Sequence, residues 1–446
     1  MNIDTVKQKE LHEKIPLLIG ELNQRLIERD ELSRLVVLAM LSKNHMFLIG
    51  ERGVGKSTTV ELVNGAIKDS TFWQLQINED TELKELYGEK RSTDDGTVSY
   101  AAKRSLLNTH YGVLDEMYKG RGNLLNGLLE LLVDASYTSG DGIKRKTPLL
   151  AVFGTSNEYP TETRMLPFND RFTVWYEVKR IQEPENRVRF YAGDYIDKPI
   201  ENQYFSLEDI EHISVAKNNV TIPTPIIAVF DEITRALITQ KVKTSDRKYG
   251  RVLRGMIRVS AYLNNRLEVD ISDLFLLLHT AWHDDIEKEK VKRAVFEKIF
   301  GNPEEIDARI VTCKQETEKT DSYKNKHIYK YLNNSIEIEG INKQATFDQI
   351  ISVADNAYRS YEMIHTELIA LKNKFYENKT IENLLQRNLF LKNYTQNAIS
   401  PNMLENIDAL AEVIAKRMGE LSTWYNQNKT LFDYQSNVQK NKGRVA

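Results

Sequence analysis

Residues 50–57 read Gly50-Glu51-Arg52-Gly53-Val54-Gly55-Lys56-Ser57, a complete G-x-x-x-x-G-K-[ST] pattern. The pattern carries a mechanism. Glycines let backbone N–H groups turn inward around a phosphate chain, the lysine reaches the β- and γ-phosphates, and the hydroxyl is a ligand for Mg²⁺. It also dictates its surroundings, a buried strand before it and a helix after it. Met46-Phe47-Leu48-Ile49 is a short apolar run that reads as the strand, and Thr58-Thr59-Val60-Glu61-Leu62-Val63 reads as the helix. The candidate nucleotide-binding residues are therefore Gly50, Gly53, Val54, Gly55, Lys56, Ser57 and Thr58, with Ser57 also a metal ligand.

At 446 residues the chain is too long for one ordinary domain and suggests two or three. A net charge of −3 argues against a general attraction to nucleic acid or an anionic membrane. The single cysteine, Cys313, leaves no disulfide framework and no Cys-based zinc site. No signal-peptide pattern opens the sequence, and no apolar run approaches the ~20 residues of a membrane span. These features point to a cytoplasmic protein.

Before about residue 303, short apolar runs alternate with helical patterns, which argues for an α/β domain with a parallel sheet. Candidate strands are 46–50, 72–77, 111–115, 150–155 and 173–178. The pattern is helical from about 205 to 300. Beyond 303 glycine and proline thin out, and the chain reads as wholly helical. Tyr358, Tyr361, Ile364, Leu368, Leu371 and Phe375 repeat at spacings of three and four, as do Ile407, Leu410, Ile414, Met418 and Leu421. Two such helices, broken at Ser400-Pro401, fit a hairpin or coiled-coil-like arm or ordinary bundle packing. The expected division is a nucleotide-binding core at 1–200, a helical lid at 201–303 and a helical extension at 304–446.

Three further segments carry chemistry. Tyr111-Gly112-Val113-Leu114-Asp115-Glu116 is an apolar strand ending in two carboxylates. Asp115 suits Mg²⁺ and Glu116 suits polarisation of an attacking water. In Phe153-Gly154-Thr155-Ser156-Asn157-Glu158 a second strand ends at a polar residue. Parallel strands present their C-terminal ends to one crevice, so Asn157 is expected near Asp115 and Ser57, unless it merely starts a turn. In Pro167-Phe168-Asn169-Asp170-Arg171-Phe172, Arg171 either points out of the subunit toward a neighbour's γ-phosphate or pairs with Asp170. Arg164 is a second candidate for the outward role.

In this order and spacing, these segments resemble the MoxR branch of the AAA+ ATPases, and within it the RavA group, over about residues 10–300. Asn78-Glu79-Asp80-Thr81 through Leu86-Tyr87-Gly88, followed by Asp95-Gly96-Thr97-Val98, is similar to the family's helix-2 insert, a small β-containing element lining the ring pore. Asn123-Leu124-Leu125-Asn126-Gly127-Leu128-Leu129-Glu130 resembles the helix after the acidic strand end. Asn157-Glu158-Tyr159-Pro160 resembles sensor 1, and Asp170-Arg171-Phe172 the arginine-finger segment. Thr244-Ser245-Asp246-Arg247 resembles the sensor-2 start, which implies that Arg247 reaches back over the phosphates and couples the lid to nucleotide state; Arg251, one turn on, is positioned to do the same. His279-Thr280-Ala281-Trp282-His283-Asp284 resembles the lid's end.

The resemblance implies a five-stranded parallel P-loop sheet flanked by helices, a helical lid, ATP and Mg²⁺ as ligands, and a hexameric ring. It also implies a chaperone-like remodelling role on a protein client, often with a von Willebrand factor A domain partner. A different class, a ring motor on nucleic acid in restriction or phage defence, is kept open by Lys84, Lys90 and Arg91 near the insert, although the balanced charge disfavours it. A scaffold that binds ATP and hardly hydrolyses it is disfavoured by the presence of Lys56, Asp115, Glu116 and Arg171.

Overall fold

The computed structural model describes residues 5–92, 98–101, 104–138, 143–160, 166–329, 343–391 and 400–442. Asp95, Gly96, Thr97 and Arg164 lie outside the described residues. The chain forms two compact units: Met1–Ile299 with Asn383–Tyr394, and Phe300–Glu382 with Thr395–Ala446.

The first unit is built on a sheet of five parallel strands, β1 (Met46–Ile49), β2 (Phe72–Gln76), β3 (Tyr111–Asp115), β4 (Ala151–Ser156) and β5 (Val174–Glu177), in the order β5-β1-β4-β3-β2. The central strands β1 and β4 are buried along their whole length, which is why β1 and the first part of β4 read as apolar runs. Helices α1 (Thr5–Arg25), α2 (Asp30–Leu41), α3 (Lys56–Gly65) and α4 (Gly122–Asp134) belong to this layer system. Ten of the twelve α2 residues are buried, and α2 packs on both α1 and α3. Two antiparallel hairpins project from the core, Glu89–Ser92 with Val98–Ala101 and Ser136–Thr138 with Lys144–Lys146.

Beyond β5 comes a short helix, α5 (Pro184–Ala192), with no buried residue. The lid follows. It includes α6 (Thr224–Thr239), a helical run from Asp246 to Leu263, and α7 (Asp285–Phe300). It packs on the β5 edge of the sheet through Trp175, whose ring meets Trp282 at 6.1 Å and His283 at 5.0 Å and carries the Lys248 ammonium at 5.9 Å. Asn388 completes this packing by donating to Ser272 Oγ (3.1 Å), while Arg34 of α2 donates to the Leu389 carbonyl (2.5 Å). Leu385, Leu389, Phe390 and Leu391 are buried. Residues from Asn383 thus lie within the stretch expected as extension yet pack in the first unit.

The second unit contains α8 (Pro303–Lys324), α9 (Lys343–Arg387) up to Glu382, and α10 (Pro401–Lys442). Ala357, Tyr361, Ile364, Leu368, Leu371 and Phe375 are buried at alternating spacings of four and three, the signature of a coiled-coil seam. Ile407, Ile414 and Leu421 face inward from α10, and Ile306, Ile310 and Cys313 from α8. Asp321 of α8 accepts from Tyr361 of α9 and pairs with Arg417 of α10, joining all three helices.

A half-buried histidine contributes to making the fold acid-sensitive. His45, at the start of β1, accepts the Val152 amide on Nδ1 (2.9 Å) and sets Nε2 2.8 Å from the Leu132 carbonyl. An amide donates only to an unprotonated nitrogen, so the ring is neutral with its proton on Nε2. Burial, against the Leu132 hydrogen bond, pushes its pKa from 6.5 down to about 4. Between those values the unfolded chain binds the extra proton and the fold does not. Stability is therefore full above pH 6.5 and is expected to fall by up to roughly 3 kcal/mol as the pH drops toward 4. Burial lowers the pKa of His279 and His283 as well, with the same sign. Urea midpoints measured at pH 7.5 and pH 5 should show the loss, and His45→Asn should flatten the slope.

Candidate functional site

The loop after β1 turns on glycines. Gly53 and Gly55 have φ of 76° and 85°, the left-handed region that glycine adopts without strain. Gly50 is required for space as well, since a Cβ there would lie 2.3 Å from the Val178 carbonyl oxygen. The loop is anchored from outside by Arg29, whose Nε donates to the Val54 carbonyl (3.0 Å). Lys56 Nζ donates to the carbonyls of Gly50 (2.6 Å) and Glu51 (2.8 Å) and to Asn157 Oδ1 (3.2 Å). Burial lowers its pKa, while the charges of Glu116 and Asp115 pull the other way, so three oxygens hold the ammonium and two nearby carboxylates favour its charge.

The order β1-β4-β3 sets the ends of three strands side by side, and the polar residues that close them meet. Ser57 Oγ donates to Asp115 Oδ1 (2.6 Å), and Thr155 Oγ1 donates to the same oxygen (2.8 Å). Gln74, in the middle of β2, donates to Asp115 Oδ2. Asn157 Nδ2 donates to Glu116 Oε1, so Asn157 bridges Lys56 and Glu116. Glu116 itself takes φ 55°, a left-handed conformation uncommon for a non-glycine residue and costing about 1 kcal/mol. Its carboxylate lies 3.7 Å from Arg52 and 3.4 Å from Lys119. The structure thus brings Lys56, Ser57, Asp115, Glu116 and Asn157 into one crevice.

Hard oxygen donors suit Mg²⁺, which is commonly bound by one or two carboxylates with the remaining positions left to water and phosphate. Ser57 and Asp115, in hydrogen-bond contact, match that donor set. Among the described residues no group of three or more His, Cys, Asp or Glu is arranged to hold a metal ion.

Beside α3 lies a cavity of ≈ 700 Å³, with Gly53, Val54, Gly55 and Thr58 on one wall and Ile27, Ile181 and Tyr195 among its other lining residues. Its size and mixed lining suit a nucleoside. The sequence reading missed this wall, because Ile27, Ile181 and Tyr195 come from distant segments with no shared motif. It also missed Gln74, Thr155 and Arg52. Arg52 occupies a variable position of the loop pattern, where the residue type carries no signal.

Arg171 and Arg247 lie elsewhere. Arg171 follows Asp170 just ahead of β5, and its Nη1 contacts Asp170 Oδ2 at 3.4 Å. Arg251 donates to the Arg171 carbonyl (3.4 Å). Burial first, then the charges of Arg247 and Arg171, lower the Arg251 pKa, with Asp170 opposing. Arg251 also acts on His45, and Arg247 on Asp134 beyond Lys144 and Lys146. The three arginines therefore gather near the start of β5. Ser245 caps its helix while donating to Asp170 Oδ2 (2.7 Å), the Trp175 packing ties the lid to the β5 edge, and the Arg247 side chain is exposed.

Residues 13–215 match the family model of the MoxR domain in MoxR-vWA-beta-propeller ternary systems, and residues 225–295 match an AAA lid domain. The uncharacterized protein MJ0079 of Methanocaldococcus jannaschii is 30% identical over 291 residues, covering 65% of this chain and 75% of the relative. The uncharacterized protein MJ0812 of the same organism is 29% identical over 282 residues, covering 62% and 73%. Among solved structures, a candidate ATPase from Cytophaga hutchinsonii superposes with a TM-score of 0.52 at 17% identity, over 66% of this chain and 95% of that one, a likeness of fold alone. No helix among the described residues is long and apolar enough to cross a membrane.

Proposed function

The chain belongs to the MoxR family of AAA+ ATPases, and on that premise we propose that it hydrolyses ATP with Mg²⁺ in a hexameric ring and uses the energy to remodel a protein client in the cytoplasm. The observation that carries this reading is the hydrogen-bonded set Lys56–Asn157–Glu116 beside Ser57–Asp115. It supplies a phosphate-binding cation, a metal-binding pair and a carboxylate base within one crevice.

In this reading the triphosphate lies along the backbone N–H groups from Gly53 to Thr58, with its nucleoside in the cavity beside α3. Ser57 and Asp115 hold the metal, which supplies charge neutralisation at the phosphate oxygens when bound. Glu116 takes a proton from the attacking water, and Asn157 fixes its carboxylate while contacting Lys56. Arg171, Arg247 and Arg251 lie close to one another near the start of β5. Their common edge suits contact with a neighbour's γ-phosphate, with Arg171 as the arginine finger. The family model's description favours a von Willebrand factor A domain partner, and the RavA-like motif order favours a chaperone role.

Mixing two inactive variants tests the ring. Arg171→Ala and Glu116→Gln should each be inactive alone and recover fractional ATPase activity together, because some interfaces then join an intact Glu116 to an intact neighbouring Arg171. Recovery should rise with protein concentration as rings assemble. No recovery at any ratio, with monomers by sizing in every nucleotide state, would remove the ring and the finger role together.

A further inference from the structure

The described part of the segment after β4 touches more than the phosphate site. Asn157 reaches Lys56 and Glu116, and two residues later the Tyr159 hydroxyl donates to Asp285 Oδ1 (2.6 Å), the first residue of α7 in the lid. The turn between them is stiff. Ser156 Oγ donates to the Glu158 carbonyl (2.7 Å) and accepts the Glu158 amide (3.1 Å). A shift at Asn157 therefore carries Tyr159 with it.

The receiving end is equally firm. Glu287, in the first turn of α7, accepts the amides of His283 (3.0 Å) and Lys243 (2.9 Å) from two lid segments, and Asp284 accepts the Glu287 amide (2.7 Å). Lys288 of the same turn pairs with Glu177 at the end of β5 and lies over the Trp282 ring. The first turn of α7 is thus fastened to the ends of β4 and β5, the two strands that flank β1 and its glycine loop.

We propose that Tyr159 is a positioning residue that transmits the state of the γ-phosphate position from Asn157, through its hydrogen bond to Asp285, to the lid helix α7. The proposal rests on the reading of the crevice as an ATP site. Burial and the neighbouring carboxylate raise the Tyr159 pKa, so the phenol keeps the proton it donates at neutral pH.

Hydrogen exchange of α7 in the full-length protein, with and without the ATP analogue AMP-PNP and Mg²⁺, tests it. In the wild type, the analogue should change exchange in peptides covering Asp285–Phe300. Tyr159→Phe and Asp285→Ala should each bind AMP-PNP within about threefold of wild type, lose that change, and lower kcat about tenfold with little effect on KM. The double variant should be no worse than either single. Asp285→Asn keeps the acceptor oxygen and should behave as wild type. A purely structural pin would alter exchange equally with and without nucleotide. Variants that bind AMP-PNP and retain the wild-type change in exchange overturn the proposal alone. A wild type that binds no AMP-PNP overturns the ATP reading, and the proposal with it.

Discussion

Lys56→Ala is expected to abolish ATP hydrolysis and to weaken ATP binding below detection in a micromolar titration, with the fold intact. The ammonium is a compact charge at the one place where the glycine loop, Asn157 and the two carboxylates converge. Alanine removes the partly buried cation beside Asp115 and Glu116 and leaves only the exposed Arg52 and Lys119 at Glu116, so a triphosphate entering the crevice meets stronger repulsion. The loop itself should persist, because Gly50, Gly53 and Gly55 set its path and Arg29 holds it from the Val54 side. The measurement is isothermal titration with ATP and Mg²⁺ beside a melting curve. Wild-type turnover in the variant would remove the phosphate-loop reading altogether.

Glu116→Gln separates binding from chemistry. Glutamine keeps an oxygen for the Asn157 donor and fits the same side-chain space, so the crevice geometry survives. What disappears is the basic oxygen, and kcat should fall by about 10²–10⁴ while the ATP dissociation constant changes little. Ser57 and Asp115 are untouched, so Mg²⁺ should still enhance ATP affinity. Normal hydrolysis by this variant would place the base elsewhere. Trapped in the ATP state, it is also the form on which to capture a client or a von Willebrand factor A partner.

The parts legible in the sequence were those where the backbone or both faces of an element dictate residue type. Glycines at 50, 53 and 55 answer a positive φ or a close approach, and β1 and the first residues of β4 are apolar because neither face sees water. What was illegible depends on which surfaces meet. The hairpin Ser136–Lys146 has no apolar run to announce it. Gln74 and Thr155 look like ordinary strand residues until the sheet order sets them beside Asp115. Arg247 was assigned by motif, but the packing of Trp282 and His283 on Trp175 decides where its helix lies. Leu385, Leu389 and Phe390 continue the apolar periodicity of α9, and periodicity does not say which partner covers them.

The return of residues 383–391 to the first unit has a consequence for synthesis of the chain. The nucleotide-binding unit is discontinuous in sequence, so it lacks part of its own core when residue 299 has left the ribosome. At usual elongation rates, the roughly 90 residues still to come take about 5–20 s. Until then Arg34 has no Leu389 carbonyl to donate to, and Ser272 has no Asn388. A nascent chain arrested near 320 should be cut readily by protease in the lid, and one arrested beyond about 430 should resist, since the ribosomal tunnel hides roughly the last thirty residues. The same dependence means that a version ending at 303 removes a piece of the nucleotide-binding unit along with the arm.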